Sequence, residues 1–87
     1  MSEITPGQCR AARALIGLSQ GDVARAAGVS EKTLADFERE ARQPYGRTIA
    51  AIRSALEAAG VRFTEYGVEL APEPEEEQYP AGPFPGR

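Results

Sequence analysis

The chain is predicted to fold as a mostly α-helical domain, four short helices closed by a β-hairpin, followed by a disordered tail. Three observations carry this. Apolar residues recur at helical spacing in four windows between Thr5 and Ala59. Small polar residues and glycines stand at the points where those helices must start and stop. The period then shortens to two over residues 61–70, and from residue 71 apolar periodicity ends. The chain accordingly divides into a helical unit (1–60), a hairpin (61–70) and a tail (71–87).

The first helix is expected to begin at Thr5. Thr5-Pro6-Gly7-Gln8 combines capping-box spacing with proline at the first helical position, where no N–H is missed. The helix runs to about Leu15 or Ile16, with Cys9, Ala12 and Ile16 on one face and Gly17 as its stop. Cys9 reads as a small buried hydrophobe.

Two more helices follow across SQGDVARAAGVSEKTLADFEREARQP, residues 19–44. Ser19 and Ser30 each precede an apolar-periodic run, where a hydroxyl can accept from free N–H groups. Asp22 places a carboxylate in the first turn of its helix, where the dipole favours it. Val23, Ala24 and Ala27 form one apolar stripe, and Val29, Leu34 and Phe37 another. Gly28 between them can take the positive φ of a sharp turn. Two short amphipathic helices crossed over a shared core make a helix-turn-helix, whose second helix has an exposed face shaped for the DNA major groove.

Arg42-Gln43-Pro44 breaks the chain before a fourth helix, from Tyr45 or Gly46 to Ala59, with Gly60 as its stop. Ile49, Ile52, Leu56 and Ala59 should pack on the first three helices. Ala51, Ala55 and Ala58 form a small-residue strip, either plain helix former or a close-approach surface for a partner. Val61-Arg62-Phe63-Thr64 and Gly67-Val68-Glu69-Leu70 then alternate as a hairpin. A lone two-stranded hairpin is marginal in water. It should pack on the helices, pair with a second copy's hairpin, or both, which makes Val61, Phe63, Val68 and Leu70 the candidate dimerisation residues. The tail holds five of the seven prolines, with Tyr79 and Phe84 its only large apolar side chains. It reads as a solubilising segment, or as a docking segment for a protein partner or an acidic DNA mimic.

Charge is distributed unevenly. Residues 1–70 carry nine Arg/Lys and nine Asp/Glu, whereas the tail sets Glu73, Glu75, Glu76 and Glu77 against Arg87 and accounts for the net −3. A neutral domain cannot bind DNA by bulk charge, so specific contacts and two copies of the domain are needed. The lack of histidine excludes Ser-His-Asp and Cys-His catalysis and, with a single cysteine, leaves too few good zinc ligands. No cofactor, metal or enzymatic activity is expected. The lone cysteine fits a reducing cytoplasm. No run approaches the roughly 18 apolar residues of a membrane span, and no signal-peptide pattern is present.

The run Leu18-Ser19-Gln20, Val23-Ala24, Ala27-Gly28-Val29-Ser30, Thr33-Leu34, Phe37-Glu38 and Pro44 resembles the phage-repressor, Cro-like or XRE, helix-turn-helix family, over about residues 5–58. The resemblance implies a four-helix, lambda-repressor-like domain that binds double-stranded DNA. Glu31, Lys32, Thr33 and Asp36 match the family's base-reading positions. Lys32 can donate to guanine, Glu31 and Asp36 can accept from cytosine, and the Thr33 methyl can touch thymine. Gln20 matches the position that meets a phosphate at the start of the second helix. Arg39, Arg42 and Arg47 would supply further phosphate contacts, and Arg13 and Glu38 match a pair that forms a salt bridge beneath the helices. Two departures stand out: Glu40-Ala41 follows the third helix where the family often has Gly or Asn, and the hairpin replaces a common fifth helix. The function implied is a regulator, a repressor binding a palindromic operator as a homodimer. An antitoxin-type autorepressor and a protein-interaction module that has lost DNA binding are the alternatives.

Overall fold

The helices begin where side-chain oxygens replace missing backbone partners. The computed structural model describes residues 3–72, and the acidic proline-rich segment, with any docking role assigned to it, lies outside the described residues from Glu73 onward. The elements are α1 (Pro6–Ile16), α2 (Gln20–Ala27), α3 (Glu31–Glu38), α4 (Gly46–Ala58), β1 (Val61–Phe63) and β2 (Val68–Leu70). Thr5, Ser19 and Ser30 cap α1, α2 and α3, each accepting from the backbone N–H three residues on. Gln8 and Asp22 complete reciprocal capping boxes on α1 and α2. Tyr45 gives α4 no such cap. Glu3 compensates from outside: its carboxylate sits so close to Gly46 that a Cβ there would lie 2.8 Å from Oε2, placing a negative charge at the positive end of α4.

The helix ends obey the same local logic with one exception. Gly17 and Gly28 terminate α1 and α2 at φ 73° and 74°. The corresponding residue after α3 is Glu40, at φ 62°. Its N–H donates to the Phe37 carbonyl and that of Ala41 to the Asp36 carbonyl, at 3.1 and 2.8 Å. This paired pattern closes a helix through a left-handed residue. A side chain in that conformation costs roughly 1–2 kcal/mol, which glycine would avoid. The departure at Glu40-Ala41 therefore leaves the turn geometry intact and makes it more costly.

The core joins all four helices to the hairpin. Cys9, Ala12, Val23, Ala24, Leu34, Phe37, Ile49, Ile52 and Leu56 are buried together, with Ile4 from the segment before α1. Ala59, expected among the packed residues, is instead the exposed cap of α4. Ala51 and Ala55 of the small-residue strip are half-buried, and α2 lies against α4. β1 and β2 pair antiparallel in the register Val61↔Leu70, Arg62↔Glu69, Phe63↔Val68. Val61 and Phe63 point into the core, where Phe63 lies under the Arg53 guanidinium, 5.7 Å from the ring centroid. Two of the four candidate dimerisation side chains are thus occupied within the core of the single chain. Val68 is half-buried, and Leu70 remains 59% exposed.

Gln8 fastens the hairpin to the helices. Its Oε1 accepts from Thr5 N–H at 2.9 Å, and its Nε2 donates to the carbonyls of Thr64 and Gly67 at 2.9 and 3.0 Å. One buried amide therefore holds the start of α1 and both sides of the hairpin turn. Leaving these groups unpartnered costs about 1–3 kcal/mol. Gln8→Ala should lower unfolding free energy by that amount in urea titrations and remove hydrogen-exchange protection from the hairpin. A variant as stable as the parent would contradict this account of the hairpin.

Candidate nucleic-acid interface

Beneath the helix-turn-helix lies a buried carboxylate. Glu38, the last residue of α3, is 2% exposed. Arg13 of α1 grips both its oxygens, Nε to Oε2 and NH2 to Oε1, each at 2.7 Å. Gln20 Nε2 adds a bond to Oε1 at 3.0 Å, and the Cys9 thiol one to Oε2 at 3.1 Å. Arg13 also donates to the Leu18 carbonyl, and Arg10 to the Glu38 carbonyl. Three helices therefore meet on one residue. Among the described residues no buried side-chain N or O atom lacks a partner.

Burial opposes the charge on Glu38, but bonds from Arg13, Gln20 and Cys9 outweigh it and hold its carboxyl below the usual carboxylate range. Burial, reinforced by Glu38, pushes the Cys9 thiol well up, so it stays protonated and donates. Gln20, matched to a phosphate-contacting position, thus directs its side-chain amide inward to the ion pair.

Above this base, α3 presents its outer face. Lys32 is open to solvent, with 80% of its side chain exposed. Thr33 is half-buried, and its hydroxyl accepts from that of Ser30 at 2.8 Å. Glu31 is exposed and leans toward the first turn of α2, where a Cβ on Gly21 would lie 3.5 Å from its Oε1. It stands near the positive ends of two helices, which favours its charge without any base contact. Asp36 differs from the other three. Its side chain is only 10% exposed, and its two oxygens are taken by Lys32 Nζ at 3.0 Å and Arg39 NH2 at 2.8 Å. Those bonds, from Arg39 first and Lys32 next, hold its carboxyl below the usual range.

The structure gathers these residues into two clefts and leaves Glu31 and Arg47 outside both. Lys32, Thr33, Asp36, Arg42 and Pro44 line a single small cleft on the α3 face. Arg39 lies on the other side of Asp36, in a second cleft with Arg10, Arg13, Gln20, Ala35 and Glu38. Arg47 enters neither; it stacks on Tyr45 at the start of α4, 5.5 Å from the ring centroid. Arg10 was not singled out from the sequence, although its spacing of three from Arg13 puts both on one face of α1. The arrangement offers an exposed helix face, a lysine and a threonine at its open end, and arginines on its flanks. Side chains of these kinds are able to donate to base edges and to phosphates.

The sequence profile of a helix-turn-helix family matches residues 10–59. No curated protein matches the chain.

The buried ion pair sets a pH dependence. Glu38 has its carboxyl depressed in the folded state from an ordinary value near 4.5. Its contribution is therefore present above that value and is lost as pH falls through the folded one. Arg13→Ala leaves the carboxylate buried and uncompensated, at a cost of about 3–5 kcal/mol near neutral pH. Protonation then relieves the variant, so the gap between it and the parent should narrow in acid. Urea unfolding at pH 7 and at pH 4 checks this, and a gap that stays constant would contradict it.

Proposed function

The chain belongs to the XRE-type helix-turn-helix family, and on that premise we propose that this DNA-binding regulator is a repressor that reads a palindromic operator as a homodimer. The observation that carries the reading is the single cleft on α3 where Lys32, Thr33 and Arg42 converge. Lys32 donates to guanine N7 and O6, the Thr33 methyl meets a thymine methyl, and Glu31 accepts from a cytosine amine at the groove edge. Arg42 and Arg39 contact phosphates from the two sides of Asp36, and Arg47 reaches the backbone from the start of α4. Gln20 orients α2 through the ion pair while its remaining N–H and the α2 N-terminus face a phosphate.

The two contact classes separate by mutation. Lys32→Ala should cost about 1–3 kcal/mol on the operator and relax preference at one base position, with little change on random duplex. Arg42→Ala or Arg47→Ala should weaken binding on every sequence and flatten the salt dependence of log K by about one unit. Fluorescence anisotropy across a salt series reads both. Equal loss on operator and random DNA for Lys32→Ala would move that residue to the phosphate class. Unchanged salt slopes for both arginines would favour an interaction module without DNA binding.

Support for a dimer comes from the hairpin. It leaves Leu70 and Tyr66 largely exposed, and a two-stranded sheet has unpaired outer edges that a second copy can extend. A two-fold pair would set two α3 helices about 34–36 Å apart, one turn of DNA. Because Val61 and Phe63 belong to the core, deleting the hairpin would damage the fold, and a surface change tests the interface better. Leu70→Glu should keep the native fold by circular dichroism, sediment as a monomer and bind the operator much more weakly. A Leu70→Glu chain that still sediments as a dimer would rule the hairpin out as the interface.

A further inference from the structure

We propose that Asp36 is a positioning residue that clamps Lys32 and Arg39 from beneath, setting the direction of both cations and withholding part of their charge from non-specific DNA. This rests on α3 being the DNA-reading element, and it assigns Asp36 a role other than base contact.

The geometry is asymmetric in exposure. One nearly covered carboxylate sits between two open cations, with side chains 80% exposed in Lys32 and 68% in Arg39. Lys32 reaches it from one turn before, and Arg39 from three residues after, on separate oxygens. The Asp36 backbone is also fixed, since its carbonyl takes the closing bond from Ala41 N–H at the end of α3. The clamp is therefore anchored at the helix terminus instead of floating on a mobile turn.

Exposed ion pairs ordinarily contribute little, because water screens them and two long side chains lose freedom. Here the acceptor's backbone is fixed at the helix end and, with both cations in place, its carboxylate is nearly covered, so water reaches the two bonds less freely. Neither cation is consumed. An ammonium has three donors and a guanidinium five, so each keeps one N–H on Asp36 and offers the rest outward. The triad carries a single net positive charge, and random duplex, bound through phosphate attraction, meets a weakened field. An operator that offers an acceptor along the held direction of Lys32 meets a donor already placed for it.

The clamp is tested first in the wild-type protein without DNA. Lys32 is the only lysine in the chain, so its side-chain ammonium gives one assignable nitrogen signal. Relaxation of that signal at low temperature should show a restricted ammonium, and Asp36→Asn should release it. An ammonium as mobile in the parent as in a freely solvated lysine would overturn the clamp whatever the DNA results, and this arm needs neither the variant's stability nor the DNA reading.

Binding is then compared on operator and random duplex. Asp36→Asn should raise affinity for random duplex by about threefold to tenfold and steepen its salt dependence, leave operator affinity unchanged or lower, and so reduce the specificity ratio. Those gains should vanish when Lys32→Ala and Arg39→Ala are added, as coupling through the two cations requires. Equal loss on both duplexes would mark a merely structural residue, and a changed preference at one base pair would restore Asp36 as a base reader; either overturns the proposal. If the parent itself binds no duplex, the DNA reading fails and takes the specificity role with it.

Discussion

A carboxylate buried at the junction of three helices must be compensated, and the rest of the structure is arranged around that requirement. Glu38 closes α3, Arg13 and Cys9 approach from α1, and Gln20 from the first turn of α2. A hydrophobic replacement of matched shape could stabilise as much or more. The ion pair offers direction instead. Its bidentate geometry permits one relative placement of α1 and α3, and Gln20 brings α2 into the same frame. The helices of the helix-turn-helix contribute only 8 residues each, too short to persist alone. Their mutual angle therefore depends on such contacts and on the core beneath.

The candidate interface inherits that frame. α3 is oriented at its C-terminal end by Glu38 and at its N-terminal end by the Ser30 cap, so the outer face between them has little freedom. Asp36 and Glu38 lie two residues apart and fall on different sides of the helix. Glu38 faces the ion pair within the fold, while Asp36 engages the surface cations Lys32 and Arg39. Two acids in one short helix thus work in separate environments. The electroneutrality of residues 1–70 is consistent with this economy, since many of the basic residues are already engaged by neighbouring acids.

Much of the fold was legible because its signals are local. Thr5, Ser19 and Ser30 begin helices through bonds spanning three residues, and Gly17 and Gly28 end them through backbone geometry that needs no distant partner. The change of period at Val61 located the hairpin for the same reason. What sequence could not supply is tertiary. Gln8 reads as half of a capping box, and nothing nearby shows that its other end holds Thr64 and Gly67, more than fifty residues away. Val61 and Phe63 alternate as strand residues do, but which face meets the helices depends on where the hairpin docks. Asp36 shares a helical face with Thr33 and Lys32 by spacing alone, and only the placement of Arg39 and Lys32 over it shows how little remains exposed. Glu40 takes a conformation that its side chain disfavours, because the Asp36 and Phe37 carbonyls require donors at that point.

The central claim is that the face bearing Lys32 and Thr33 reads DNA sequence, and selection of bound duplexes from a random pool tests it most directly. The account predicts enrichment of one inverted repeat whose half-site centres lie roughly 10 base pairs apart. A folded, full-length protein that returns the pool without enriching any sequence would contradict it.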